Sequence, residues 1–301
     1  MDLKGKSKIS LVAPAKVNLR LKVLGRRLDG YHDIEMIMVP LSLADQIEVE
    51  IISKGIKIRS ESAEIPCDHS NSLWKAVEGL QSESGKDFGC RMTLHKKIPI
   101  AAGLGGGSSD AASLLKGLNQ YLKLGISPTR LHDLATKIGA DVPFFLTQGP
   151  QSAEGIGEKL TPLRHLPPLY LILINPKFPV STPEVYGWYD QEGDGKNSLS
   201  TRLTRNKLND SSTGLSRGLA RWLKNFPLEN DLEKVVLPRY PVLVQMKAML
   251  SEAGALGTLM SGSGPTVFGL FETSESRDQG YDRLLRKKDP NWWVCKAESL
   301  S

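Results

Sequence analysis

Residues 99–112 read PIAAGLGGGSSDAA, and the reading of this stretch decides the fold. Gly103, Gly105, Gly106 and Gly107 crowd into five positions, and Ser108, Ser109 and Asp110 follow. Glycine tolerates positive φ and close approach to its backbone; Ser and Asp are good helix N-caps. Beyond them Ala111, Leu114, Leu115, Leu118 and Leu122 recur at helical spacing, one face of an amphipathic helix. A strand-like run, Cys90 to Leu94, comes before. The order strand, glycine turn, helix presents backbone N–H groups at the positive end of a helix, where a phosphate is readily held. A plain flexible connector would not need so strong a helix directly behind it. The stretch is neither a Walker A loop, since no GK[ST] closes it, nor a dinucleotide fingerprint.

Outward from this turn, the N-terminal side carries strands. Ile9 to Ala13 is a short apolar run, and Val17, Leu19, Leu21 and Val23 alternate with Asn18, Arg20 and Lys22, the pattern of a strand with one buried face. Lys16 stands at its start and Asp29-Gly30 marks a turn, with Tyr31 and His32 at the exit. Ile34 to Leu43 and Gln46 to Ile52 are further strands, and Asn71 to Gln81 is a helix with Leu73, Val77 and Leu80 inward. On the C-terminal side Ser127-Pro128 starts a helix by the cap-then-proline rule. Leu131, Leu134, Ala135 and Ile138 are its inner face and Gly139 its stop. Asp141 then stands directly before the apolar Val142, Pro143, Phe144 and Phe145, as a turn residue or a site residue.

After about residue 166 the pattern restarts. It gives a strand at 169–175, a helix at 181–190 capped by Ser181, a polar loop at 191–214, and helical stretches at 230–236 and 241–253. Strands at 256–260 and 267–271 flank a turn, SGSGPT (261–266), and a helix at 274–287 and a strand at 292–297 complete the order. β-α-β-β-α-β is a ferredoxin-like plan.

The 301 residues suffice for one large domain or two modest ones. The net charge of +6 suits anionic small molecules, and Lys4, Lys6, Lys8 and Arg286, Lys287, Lys288 are solvated surface. Cys67, Cys90 and Cys295 are isolated, which speaks against disulfides or zinc and for a reducing compartment. The five histidines show no ligand spacing. No apolar run nears the roughly 18 residues of a membrane span, and no secretory signal is visible. The expected location is cytoplasmic.

Three motifs together, in order, resemble the GHMP kinase family: PAKVNLRLKVLGRRLDGYH (14–32), PIAAGLGGGSSDAA (99–112) with GADVPFF (139–145), and SGSGPT (261–266). The first of these resembles one branch of that family, whose acceptor is an alcohol linked to cytidine diphosphate. The resemblance implies an α+β, two-domain GHMP kinase fold. An N-terminal S5-like α/β domain over 1–165 would bind ATP, and a C-terminal ferredoxin-like domain would span 166–301. It implies ATP with Mg²⁺, Lys16 and Asp141 as catalytic residues, and a nucleotide site of Pro99, Ile100, Ala101, Ala102, Gly103, Leu104, Gly105, Gly106, Gly107, Ser108 and Ser109, with Asn71 near the adenine. Asn18, Tyr31 and His32 would hold the cytidine end, and Thr182, Pro183 and Tyr186 would close the other face of the base, so that Tyr31 and Tyr186 sandwich it. Ala101 and Ala102 depart from the family, which often has Gly there, and 191–229 matches only loosely. The partners implied are small molecules, with no nucleic acid and no membrane, and a monomer or weak homodimer. Another member of the family, acting on a sugar, mevalonate or homoserine, would not need GRRLDGYH; an inactive relative would not need Lys16, Asp141 and an intact turn together. An RNA-binding protein would show an RRM or KH signature.

Overall fold

The computed structural model describes residues 8–192 and 218–301. The polar loop expected at 191–214 therefore lies almost wholly outside the described residues, as do Lys4 and Lys6. Two strands expected as pairs of short ones are continuous: β1 (Lys8–Arg26) and β2 (His32–Ile52). Between them the turn at Asp29-Gly30 places Gly30 at φ 87°. Ala13 through Leu21 are nearly all buried, so polar residues there face protein on both sides and give no break.

The chain forms two compact units that are interleaved, whereas the sequence suggested consecutive segments. Unit one is Met1–Ala15, Leu43–Ile98 and Gly105–Gln148; unit two is Lys16–Ser42, Pro99–Leu104 and Gly149–Ser301. The physical reason is the length of β1 and β2, 19 and 21 residues, which lets each strand contribute a half to either unit.

In unit one, β4 (Gly89–His95) pairs antiparallel with β2 from Gln46 to Ile52 and parallel with β3 (Ile56–Ser60). β3 was not apparent in the sequence, because five residues with one fully buried side chain, Ile58, make no periodic signal. Four helices follow: α1 (Ser72–Ser84), α2 (Gly106–Tyr121), α3 (Pro128–Ile138) and α4 (Val142–Leu146). Asn71 caps α1 through its Oδ1 and the Leu73 N–H, and Gly85 ends it in the left-handed region, where glycine carries no Cβ penalty. Ser127 caps α3, with Pro128 at the first position. Gly139 ends α3 as expected, in extended conformation. The faces read from spacing are the buried ones: Leu73, Val77 and Leu80 on α1, Leu114, Leu115 and Leu118 on α2, Leu131 and Leu134 on α3.

In unit two the first half of β2 pairs with β5 (Gln151–Gly155), which pairs with β6 (Lys159–Pro162). The second half of β1 pairs in parallel with the two-residue β8 (Glu229–Asn230). The remaining strands, β7 (Tyr170–Asn175), β9 (Gly257–Met260), β10 (Val267–Phe271) and β11 (Trp293–Glu298), form an antiparallel sheet in the order β11-β7-β10-β9. This is the ferredoxin-like order, with the first and third of the four strands central. Their sequences LILIN and VFGLF are fully buried, as central strands require. The helices are α5 (Thr182–Glu192), α6 (Leu219–Asn225), α7 (Glu233–Val236), α8 (Pro241–Glu252) and α9 (Ser274–Leu285). The helix expected at 230–236 is instead β8, a turn and the single turn of α7. Asn230 is the cause: its Nδ2 donates to the carbonyls of Met260 and Gly262, each at 2.8 Å, and these bonds outweigh local helix propensity.

Candidate active site

The glycine-rich stretch is a sharp turn leading into α2. Ala101, Gly103 and Gly105 have φ of 49°, 74° and 70°, so the chain needs the left-handed region three times in five residues. Ala101, where the family often has glycine, adopts it despite its Cβ. α2 starts earlier than Ser108 and Asp110 suggest as caps: its N-cap is Gly105, with no side-chain capping bond. Its first helical bond is Ser109 N–H to Gly105 O at 2.9 Å. The N–H groups of Gly106, Gly107 and Ser108 precede that bond and have no helical acceptor. They stand at the positive end of a 16-residue helix, suited to phosphate oxygens. Gly106 is helical and needs no positive φ. Its constraint is space, because a Cβ there would lie 3.0 Å from Lys96 Nζ and 3.1 Å from Ile98 Cγ2.

Within unit two, the SGSGPT turn packs onto the 99–104 segment. Ser261 Oγ donates to Gly103 O at 2.9 Å, the Thr266 N–H to Ala102 O at 3.4 Å, and the Lys16 N–H to Leu104 O at 2.9 Å. A Cβ on Gly103 would lie 2.0 Å from Ser261 O. The Asn18 N–H donates to Ser261 Oγ at 3.3 Å. Ser263 Oγ and Thr182 Oγ1 share a 2.7 Å bond, which ties the start of α5 to the same turn. Lys16 Nζ donates to Asn18 Oδ1 at 2.6 Å, and Asn18 Nδ2 lies 3.2 Å from Met36 Sδ. Both residues are buried, Lys16 at 3% and Asn18 at 0% exposure. Asn18 therefore meets Lys16 directly.

The aromatic elements of unit two gather differently from the expected sandwich. His32 stacks on Tyr186 with centroids 4.8 Å apart and planes 23° from parallel. His32 Nε2 lies 2.7 Å from Asp190 Oδ1, and Arg26 lies 3.4 Å from the other oxygen. Tyr31 is exposed, its backbone N–H bonded to Asp29. Pro183 opens α5 with Thr182, one turn from Tyr186.

In unit one, Asp141 sits at the N-cap of α4 with φ −84° and ψ −11° and makes no capping bond. α4 packs against α2, and a Cβ on Gly139 would lie 4.0 Å from Ser108 Oγ, which places the turn before Asp141 beside the start of α2. Ser72 Oγ donates to Gly107 O at 2.8 Å, so the capped end of α1 also meets that start. Asn71, expected near adenine, is occupied structurally: its Oδ1 takes the Leu73 N–H and its Nδ2 donates to Pro66 O at 2.7 Å.

Sequence reasoning missed three charges. Asp45, Lys96 and Asp110 form a buried cluster beneath the start of α2. It missed Asp190 as well. The available signals were a lysine pair before Pro99 and an acid inside a helix start, neither distinctive alone. Among the described residues no group of three His, Cys, Asp or Glu could hold a metal ion. The three cysteines are free; burial pushes the Cys90 thiol up to about 12, which makes it inert.

Unit one thus holds the start of α2, without a side-chain cap, and Asp141 at the start of α4; unit two holds the 99–104 turn packed under SGSGPT and the buried Lys16. The N-terminal domain of the GHMP kinases matches residues 71–149, and the C-terminal domain of the same family matches 215–291. The chain belongs to the GHMP kinase family. Within it, the chain is 44% identical over 295 residues to the 4-diphosphocytidyl-2-C-methyl-D-erythritol kinase of Citrifermentans bemidjiense, covering 97% of this chain and 99% of that protein. It is 42% identical over 298 residues to the enzyme of the same name from Geobacter metallireducens, with the same coverage. A crystal structure of a 4-(cytidine 5'-diphospho)-2C-methyl-D-erythritol kinase superposes with a TM-score of 0.76 at 31% identity, covering 97% of this chain and all of that one.

Proposed function

We propose that the chain is an ATP-dependent kinase that phosphorylates the 2-hydroxyl of 4-diphosphocytidyl-2-C-methyl-D-erythritol, a step of non-mevalonate isoprenoid precursor synthesis. The observation that carries this reading is near-full-length likeness at 44% identity to a kinase of that name. The two family matches fall in successive stretches, which supports 1–165 as the ATP-binding domain and 166–301 as the second, although the compact units interleave.

Transfer of a phosphoryl group to an alcohol demands positioning and charge neutralisation more than covalent help. The N–H groups at the start of α2 hold phosphate oxygens, with Pro99 to Ser109 as the cradle. Mg²⁺ would arrive on the triphosphate and keep several of its waters, so that it would need few ligands from the chain, and it would offset phosphate charge. Asp141, at the start of α4, accepts the hydroxyl proton. Lys16, aimed by Asn18, offsets developing negative charge. At the acceptor end His32 reads the base. If its Nε2–H is given to Asp190, Nδ1 of the neutral ring is an acceptor, matched to an amino group such as that of cytosine. Tyr186 backs His32, Tyr31 offers a second ring face, and Thr182 and Pro183 fix the start of α5. Asn71 acts through α1, whose start touches Gly107.

No helix among the described residues is long and apolar enough to cross a membrane. We assign the chain to the cytoplasm, where ATP is made and thiols stay reduced, as a monomer or weak homodimer. The deciding experiment is ADP release with ATP, Mg²⁺ and 4-diphosphocytidyl-2-C-methyl-D-erythritol, run beside mevalonate and homoserine. Turnover confined to the cytidyl substrate is expected; turnover with another alcohol alone would overturn the assignment.

A further inference from the structure

Beneath the start of α2 in unit one lies a charge cluster that the proposed reaction does not use. Lys96, at the exit of β4, donates from Nζ to Asp45 Oδ2 and, at 3.0 Å, to Asp110 Oδ2. Asp45, from β2, is saturated: its Oδ1 also takes the Lys97 N–H at 2.6 Å and the Ile98 N–H at 2.9 Å. Asp110 is not. Its Oδ1 is buried with no hydrogen-bond partner, and so is the neighbouring Ser109 Oγ. The cluster touches the glycine turn directly, since a Cβ at Gly106 would press on Lys96 Nζ at 3.0 Å and Ile98 Cγ2 at 3.1 Å. The height of the first turn of α2 over β4 is thus set by this lysine and the two acids that hold it.

We propose that Asp110 is a positioning residue for the nucleotide: acting through Lys96, it sets the first turn of α2 against the exit of β4 and so places the N–H groups that meet the phosphates. This rests on the reading of that turn as the nucleotide cradle.

A charge consequence follows from the same geometry. Two carboxylates share one ammonium, so the cluster carries a net negative charge when Asp110 is ionised and none when it is protonated. Burial pushes Asp110 up to about 7; Lys96 pulls against that and Asp45 adds to it. Burial alone would lower Lys96, but the Asp110 and Asp45 carboxylates outweigh it and raise it, so the ammonium is constant through neutral pH. Lys96 and Asp45 are the charged groups that act on Asp110; α1, α3 and α4, which pack against α2, bury apolar residues there. A polyanion at the start of α2 favours the protonated acid, so nucleotide binding draws a proton onto Asp110 and weakens as pH rises through about 7. Stability has the same sign. Because the folded value lies above the ordinary one of 3.8, the contribution is present in full below about 4 and is lost as pH rises toward 7.

The test is Asp110→Asn, which keeps the shape and an acceptor for Lys96 and removes the titration. The readouts are KM and kcat for both substrates, and ADP calorimetry from pH 6 to 8.5 in two buffers of different ionisation enthalpy. The expected result is a nucleotide affinity that no longer falls with pH: the variant's KM for ATP matches that of the wild type near pH 6 and lies several-fold below it at pH 8.5, with kcat and the KM for the alcohol nearly unchanged. The wild type should take up more protons per ADP than the variant near pH 7. Should that variant fail to fold, Asp45→Asn serves: it keeps an acceptor for the two backbone N–H groups and should move the proton-uptake midpoint to lower pH. A shifted melting temperature with KM for ATP unchanged even at pH 8.5 and unchanged proton uptake would make the cluster merely structural and overturn the proposal. If the wild type binds no nucleotide at all, the cradle reading itself falls, and this inference with it.

Discussion

Two helices in this chain begin in opposite ways. α9 opens on Thr273, whose side chain accepts the Ser276 N–H while Ser276 Oγ accepts the Thr273 N–H, a complete capping box. α2 opens on Gly105, which has no side chain to cap with. The first arrangement satisfies the free donors of a helix end internally; the second leaves them for something else. α1 and α3 follow α9, with Asn71 and Ser127 as caps. α4 is the telling case. Asp141 is a good capping residue at an N-cap position, yet makes no capping bond. Asn71, Ser127 and Thr273 close the helix ends they cap, whereas the two starts assigned to chemistry carry no side-chain cap, a lack they share with the starts of α6, α7 and α8.

The comparison breaks first at Asp141. Asp141→Asn retains size and removes the proton acceptor, so turnover should fall by about 10²–10⁴ while ADP affinity by calorimetry and the melting temperature hold. A fall in stability with little loss of turnover would make Asp141 an ordinary helix-start residue after all. Next is Gly103→Ala, which puts a methyl group 2.0 Å from Ser261 O at φ 74°. The turn must shift by about an ångström, and a displacement of that order costs roughly 10² in turnover. A crystal structure of the variant with an unmoved α2 start and normal rates would count against the turn as the cradle.

Tyr186→Ala separates the acceptor end from the phosphate end. Loss of a base-stacking ring is worth about 1–3 kcal/mol, so KM for the cytidyl substrate should rise about 10- to 100-fold and KM for ATP should not change. An equal rise in both would mean that α5 supports the whole site instead of the base. The smallest effect belongs to the closed helix end. Thr273→Ala should lower stability by about 1 kcal/mol, seen as a melting temperature about 2–4 °C lower, with both KM values unchanged. Altered ATP kinetics in this variant would erase the distinction between the two kinds of helix start.

Much of this molecule was legible in its sequence because the signals are local. Helical spacing of Leu114, Leu115 and Leu118, the Ser127-Pro128 start and the order of strands after residue 166 depend on neighbours in the chain, and the structure has them where spacing puts them. The glycine turn was legible for the same reason, since few residues other than glycine accept repeated positive φ. The particular use of each glycine was not. Gly103 and Gly105 serve backbone conformation, Gly106 serves a close approach by Lys96, and Ala101 takes a left-handed φ of 49° without being glycine at all.

What the sequence determined by itself was the helices around the glycine turn, the ferredoxin-like run of strands after residue 166, the glycine turn itself and the family, since these are written in short-range patterns. Tertiary structure alone decided that β1 and β2 run unbroken through two units, that 230–236 is not a helix, and that His32 pairs with Tyr186 and Asp190. It alone brought Asp45, Lys96 and Asp110 under the start of α2. Each of these joins residues far apart in the chain, as Asn230 to Met260 or Asp45 to Ile98. Burial and hydrogen bonding there override local propensity, because a buried polar group must find its partner wherever the fold supplies one.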